Sequence, residues 1–242
     1  MSDGDALFAA ILAEPDEDVP RLAFADWLDE TGGEPERTRA DFVRVQVALA
    51  RVPADEQAVW NPWLAALRGR EQLLLTAHAP FWLEPLRERG GPLESTDTHA
   101  SFRRGFVEAV WMPAARFVAR ADVLFARTPA RELRVTRATV EDLAAVLASP
   151  FLARLTALDL SDRRLGDDAV RLVSRRPAVA ALTTLRLCGC GLTDTSALRL
   201  ADVPFDWPLR ELDLRHNPIG AAGLAALRAR FGAAVVASPP PA

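Results

Sequence analysis

The sequence predicts an α/β fold: a short right-handed solenoid of about five repeats, with an α-helical unit at its N-terminus. Parallel strands would line its concave face and helices its convex face. Two observations predict this. A leucine triplet returns at a fixed interval in the second half, with helical stretches between the triplets. The first 52 residues instead carry only helical periodicity.

The triplets are Leu155, Leu158, Leu160; then Leu182, Leu185, Leu187; then Leu209, Leu212, Leu214, each 27 residues after the last. A further aliphatic residue follows each: Leu165, Leu192 and Ile219. Cys190 and Asn217 stand two residues before the last two of these. Alternating leucines put one face of a short strand into a core. An Asn or Cys side chain can bond the backbone where the chain leaves that strand. Residues 167–175, 194–200 and 221–231 then return the chain as helices. One repeat cannot bury its leucines alone, so neighbours must stack. The pattern L-x-x-L-x-L-x-x-N/C-x-L at this period is the leucine-rich repeat signature. The helical backs and repeat length resemble the ribonuclease-inhibitor type. A bundle of amphipathic helices is the competing reading.

Half of the 242 residues are hydrophobic, enough for a sizeable core, and the formal net charge is −4. That balance argues against sequence-independent nucleic-acid binding. All strong basic charge is arginine, since the chain has no lysine. The N-terminus lacks a basic region ahead of its short apolar run, so no secretory signal is expected. No apolar run is long enough for a membrane span. The two cysteines lie two residues apart, which points away from a disulfide framework and toward a cytoplasmic setting. A monomer without cofactor or metal is expected.

Residues 1–52 read as three helices. The first has Leu7, Ile11 and Leu12 on one side and stops at Pro15. The second has Asp18 as N-cap, Pro20 in its first turn, and Phe24, Trp27 and Leu28 inward, before Gly32 or Gly33. The third turns Phe42, Val45 and Leu49 inward. Residues 1–41 hold twelve acids against Arg21, Arg37 and Arg39, a net −9, so the remainder is about +5. The order of Leu7, Ile11, Pro15, Asp16 and Asp18, then Pro20, Arg21, Leu22, Ala25, Asp26, Trp27, Leu28, Glu30 and Gly32, then Arg39, Asp41, Phe42, Val43, Arg44 and Gln46 resembles the bacterial repeat-companion domain. The resemblance covers about 50 residues and implies architecture rather than activity. Asp26 invites two readings: a carboxylate paired with Arg39 or Arg44 of the next helix, or a catalytic or metal-binding acid.

Residues 53–104 form a connector. Pro53 ends the third helix, and Asn61-Pro62 starts a longer one reaching about Ala77. Residues 81–86 read as a short apolar turn or helix and 88–101 as a polar loop. Trp27, Trp60, Trp63 and Trp82 read as packing residues that dock the helical unit onto the first repeat and close that end of the array. His78 and His99 are too isolated to argue for metal.

Residues 105–237 form the array, followed by a Pro-rich tail over 238–242. Two degenerate repeats lead it: Val107, Val110, Met112 with Phe117, and Ala130, Leu133, Val135 with Val140. A last edge strand is expected over 233–237, and prolines 239–241 discourage further strand pairing. Equivalent positions of parallel strands form columns. The solvent-facing central column reads Trp111, Arg134, Asp159, Arg186, Asp213. One flanking column reads Ala109, Glu132, Ala157, Thr184, Glu211, and the other Pro113, Thr136, Ser161, Cys188, Arg215. Charges alternate along the centre, so neighbours can neutralise each other as a ladder. The same face can bind a protein of mixed charge, with Trp111 as anchor and Glu132, Arg134, Asp159, Thr184, Arg186, Glu211, Asp213 and Arg215 around it. Cys190 and Asn217 are structural turn residues. Cys188 and Cys190, with His216 one column over, make a poor zinc set.

The expected function is a non-catalytic protein–protein interaction or scaffolding module that uses the concave face. Resemblance to ribonuclease-inhibitor-type arrays, which include a nuclease inhibitor and a GTPase activator, implies an alternative: an enzyme regulator that masks a surface. A hydrolase using Asp26 is a third reading, with no nucleophile–base pair or phosphate loop behind it.

Overall fold

The computed structural model describes residues 2–57 and 61–239, so Trp60, Pro240 and Pro241 lie outside the described residues. Two compact units are present. One comprises Met1–Glu94, Ala100–Glu108 and Val123–Pro129. The other comprises Ser95–His99, Ala109–Asp122 and Ala130–Ala242.

The first unit begins with α1 (Asp3–Ala13), α2 (Val19–Thr31) and α3 (Glu34–Ala50), followed by the short α4 (Ala54–Gln57) and α5 (Pro62–Arg87). Ser2 caps α1 in a reciprocal box: its hydroxyl accepts from the Asp5 amide, and the Asp5 carboxylate accepts from the Ser2 amide. Asp18 holds the N-cap position of α2, but its side chain makes no cap bond. Its carboxylate turns to Arg51 Nε at 2.8 Å instead. The core joins Ile11, Ala25, Leu28, Ala40, Val43, Val47 and Phe106, with Phe8, Leu22, Phe24 and Trp27 packed against it. Leu7, Leu12 and Leu49, expected inward, are half-buried.

Helix α5 does not stop near Ala77. It runs 26 residues, through Pro80 and Pro85. Each proline removes a helical hydrogen bond, yet tertiary packing outweighs that loss. Leu74, Leu83 and Leu86 are buried, and the Trp82 ring stacks on Phe42 at 4.5 Å. Asn61 starts the helix by accepting from the Trp63 and Leu64 amides. Trp63 itself is exposed, so the tryptophans do not form one packed stripe. The polar loop expected over 88–101 is shorter than anticipated. Its end forms β1 (His99–Arg103), joined to β2 (Phe106–Met112) by Arg104 and Gly105, both at positive φ. Two such residues give the tight hairpin turn that suits twisted strands.

Charge is buried in this unit. Arg21 is fully buried; its Nη2 donates to Pro15 O at 2.7 Å and pairs with Glu108 Oε1 at 2.8 Å. Arg104 pairs with the same carboxylate at 3.0 Å. Removing one member of such a set strands the others, which is costlier than never burying them.

From β2 onward strands and helices alternate: β2, α6 (Ala114–Arg127), β3 (Glu132–Val135), α7 (Val140–Ala148), β4 (Ala157–Asp159), α8 (Gly166–Val173), β5 (Thr184–Arg186), α9 (Asp194–Ala201), β6 (Glu211–Asp213), α10 (Ala221–Phe231) and β7 (Val235–Val236). Strands β2 to β7 pair in chain order, every neighbour parallel. The triplet leucines are buried, except Leu209, which is half-buried. Trp207 fills that place in the core and donates from Nε1 to Leu182 O at 3.0 Å. Two 3₁₀ turns, Pro150–Arg154 and Pro177–Ala181, complete the crossings before β4 and β5.

Candidate functional site

The strand register sets the columns of the strand face. Trp111 lies beside Arg134, Arg134 beside Asp159, Asp159 beside Arg186, and Arg186 beside Asp213. Ala109, Glu132, Ala157, Thr184 and Glu211 align in the same way. With Leu158, Leu185 and Leu212 buried on the opposite side, strand alternation turns both columns away from the helices.

The central column is not solvent-facing throughout. Asp159 and Asp213 are 7% and 3% exposed. Each folds back on its own strand end: Asp159 Oδ1 accepts from the Ser161 amide, and Asp213 Oδ1 from the Arg215 amide. A short acid at a strand end satisfies a backbone donor that the ladder leaves open. Arg215 completes the second of these, its guanidinium on Asp213 at 2.7 Å. Burial works against the Asp213 charge, but the Arg215 hydrogen bonds outweigh it and hold the carboxyl below its usual range.

The expected ladder along the column forms only in part. Arg134 meets Asp159 at 3.5 Å and also Asp162 at 3.7 Å. Arg186 instead grips the flanking column. Its Nε and Nη2 take both oxygens of Glu211 at 2.8 and 3.2 Å, and its Nη1 takes Glu132 at 2.8 Å. The Glu211 bond, against some desolvation, raises the Arg186 pKa above its ordinary value. Ala157 stands between the two glutamates' strands in the register, and its short side chain leaves room for the reach. Asp159 and Asp213, beside Arg186 in the central column, are already held by backbone, so Arg186 finds its partners sideways, whereas Arg134 keeps a longer contact to Asp159. Thr184 and Trp111 are half-buried on the same face.

At the strand exits, Asn217 ties two repeats together. Its Oδ1 accepts from the amides of Cys190 and Leu192, both at 3.0 Å. Its Nδ2 donates to Leu187 O at 2.8 Å, Leu214 O at 2.9 Å and Arg215 O at 3.3 Å. Cys190 is buried, and its Sγ lies 3.1 Å from Leu160 O as donor. Burial pushes the Cys190 thiol up to about 11, and burial with nearby carboxylates raises Cys188 as well. Neither has the depressed pKa of a reactive thiolate. His216 stands at positive φ, in register with Gly189 and Asp162, which do the same in the preceding repeats. Among the described residues, no three His, Cys, Asp or Glu side chains converge as a metal site.

Asp26, the other candidate, is exposed and pairs with Arg44 at 2.7 Å. Arg44 also holds Asp29 at 2.5 Å. The pairing belongs to the packing of α2 on α3.

A second set of acids went unread in the sequence. Asp167 accepts from the Thr193 amide and from the Thr193 and Ser196 hydroxyls of the next repeat. One repeat on, Asp194 accepts from the Gly220 amide at 2.7 Å. The signal was present, as an acid at the start of consecutive repeat helices 27 residues apart. Such an acid fills the open amides of the neighbouring helix start. Burial works against the Asp167 charge, but the Ser196 and Thr193 bonds outweigh it and hold the carboxyl below its ordinary range. A lowered carboxyl pKa adds stability that is present above the unfolded value and lost as pH falls through the folded one. Asp167→Asn therefore lowers the melting temperature at pH 7. The gap to wild type narrows as pH falls below the ordinary carboxyl range and through the lower folded value, as thermal melts followed by circular dichroism would show. A gap that is the same at every pH would mean the charge contributes nothing.

Comparison with known proteins now bears on the array. A family model described as Leucine Rich repeat matches residues 208–227, which contain β6 and the start of α10. The ribonuclease inhibitor of Sus scrofa is 39% identical over 97 residues, covering 39% of this chain. The chain spans only 21% of that relative's length. Parallel strands in chain order, with a helix or turn behind each, agree with these two likenesses, which show similarity to leucine-rich repeats and to part of a ribonuclease inhibitor.

Proposed function

We propose that this chain is a non-catalytic protein-interaction module that binds its partner on the strand face of the repeats. The observation that carries the reading is the arrangement of that face. Glu132, Arg186 and Glu211 form a fixed, partly exposed charge set, with Arg134 and Trp111 beside it. Charges already locked in place cost little further ordering when a partner binds, and an aromatic beside them supplies apolar contact. The repeat type points the same way, toward a binding fold rather than a catalytic one. No helix among the described residues is long and apolar enough to cross a membrane. In this reading residues 105–237 are the binding array. Residues 1–52 are a separate module, supported by its resemblance to the repeat-companion domain.

The test compares capture from a lysate of the source cells by three folded proteins: wild type, Trp111→Ser with Arg134→Glu, and Leu198→Ser. Leu198 is exposed on α9, behind the sheet. A protein retained by wild type and Leu198→Ser but lost by the double variant supports the strand face. Equal capture by all three refutes it.

A second reading is that the partner is an enzyme and the module masks it. It rests on the likeness to the ribonuclease inhibitor of Sus scrofa. Ribonuclease activity titrated with the purified chain decides it: inhibition at a stoichiometric ratio supports masking, and unchanged activity removes ribonuclease as the target.

A further inference from the structure

The helical unit holds a cleft of about 450 Å³, lined by residues from α1, α2, α3, α5, the β1–β2 hairpin and residues 126–129. Its walls are aromatic, with Phe8, Phe24, Phe81, Trp82, Phe102 and Phe106 facing it. Clefts of this size and lining suit a small ligand with an apolar body. Arg39 also lines it.

Arg39 is the unusual group. Its Cζ lies 4.6 Å from the Trp82 ring centre and between 5.3 and 5.4 Å from those of Phe42, Phe102 and Phe106. Nη2 donates to Gly105 O at 2.5 Å. Nη1 finds no acceptor among the described residues, while the side chain as a whole is half-buried and keeps part of its surface on the cleft. The buried Arg21 and the half-buried Arg104 of this unit have a carboxylate, which they share: Glu108. Arg39 has none among the described residues. Aromatic faces offset part of the cost of burying a cation, but they leave its planar donor edge incomplete. Burial pushes the guanidinium down to about 9, so it is still charged at neutral pH.

The rim narrows the choice of anion. Glu36 and Glu84 line the cleft and are exposed, while Arg127 is engaged by Glu88 at 2.9 Å. Two rim carboxylates repel a polyanion more than a monoanion. A carboxylate also matches the guanidinium edge in shape.

We propose that this cleft binds a small amphipathic monocarboxylate, its carboxylate completing Arg39 and its apolar body lying against Phe81, Trp82, Phe102 and Phe106. The site is confined to the helical unit and does not depend on what the strand face binds.

The experiment is isothermal titration of the full chain with 4-phenylbutyrate, 4-phenylbutanol and 4-phenylbutylamine. The expected result is saturable binding of the acid, with the alcohol and the amine weaker by ~10-fold or more, as a buried charge-assisted bond implies. Phe81→Ala removes an exposed ring and should weaken acid and alcohol alike. Arg39→Met should erase the preference for acid over alcohol. If Arg39→Met fails to fold by circular dichroism, the acid-to-alcohol ratio in wild type and Phe81→Ala decides alone. Equal affinity for the three probes overturns the proposal, as does the absence of any acid binding at millimolar concentration. Binding of a phenylalanine-ended tetrapeptide without binding of phenylbutyrate overturns it too, in favour of a peptide terminus.

Discussion

Asn217→Ala should destabilise the repeats by ~3 kcal/mol, several times a typical surface change. One amide side chain there makes five hydrogen bonds to backbone groups of two consecutive repeats. Alanine leaves the Cys190 and Leu192 amides and the Leu187 and Leu214 carbonyls without that partner. Cys190, Leu192, Leu187 and Leu214 are all buried residues. A buried backbone group without a partner costs ~1–3 kcal/mol, and partial relaxation keeps the total below the simple sum. Cys190→Ala makes the informative contrast. It removes one thiol donor to Leu160 O and should cost ~1 kcal/mol, mostly from lost packing. Both residues occupy the same position of the repeat pattern, so urea unfolding of the two variants separates position from chemistry. Equal losses would show that filling the turn matters and that the hydrogen bonds do not.

That contrast also marks how far the sequence could be read. The triplet spacing specified which residues pair across strands, because a side-chain period of two and one fixed repeat length leave no other register. The partners within the strand face were harder to foresee. Asp159 and Arg186 are neighbours in the register, and alternating charge suggested that they pair. The acid instead caps its own strand end, and the arginine crosses to Glu132 and Glu211. A strand-end amide and a carboxylate compete on the scale of a few ångströms, below what column position can resolve. Leu209 shows a different gap. Its spacing matched the triplet, yet Trp207 is larger and also satisfies Leu182 O, so it takes the buried place. In the helical unit, periodicity located the first three helices, whereas the long helix expected to end near Ala77 runs on through Pro80 and Pro85 to Arg87. Arg39 could not have been singled out by pattern at all. One arginine among 29 basic residues becomes distinctive only when four rings from α3, α5, β1 and β2 converge on it.

The same substitution, glycine to alanine, should have opposite signs at two positions of the helical unit. Gly105 sits at φ +84, where an added Cβ would lie 2.8 Å from Val43 Cα and 2.5 Å from its Cγ2. Val43 is fully buried in α3, and its backbone cannot retreat without moving the helix. The left-handed conformation alone costs an alanine ~1 kcal/mol, and overpacking against fixed backbone adds ~1–3 kcal/mol. The amide of Gly105 donates to Gln46 Oε1 at 2.8 Å, and its carbonyl holds Arg39. A shift at Gly105 therefore disturbs both bonds, and the expected loss is ~3–4 kcal/mol. Gly69 lies inside α5, exposed, with nothing within 4 Å of the added carbon. There alanine should stabilise by ~0.5–1 kcal/mol, because glycine loses more backbone freedom on entering a helix. Chemical unfolding of the two variants measures both. Gly105→Ala within 1 kcal/mol of wild type would mean that the hairpin shifts away from α3 at little cost. The cleft wall would then be pliable, and phenylbutyrate affinity in that variant should be close to wild type. If instead stability falls as expected, a folded remnant of Gly105→Ala should bind the acid more weakly than wild type, since Arg39 loses the carbonyl that orients it.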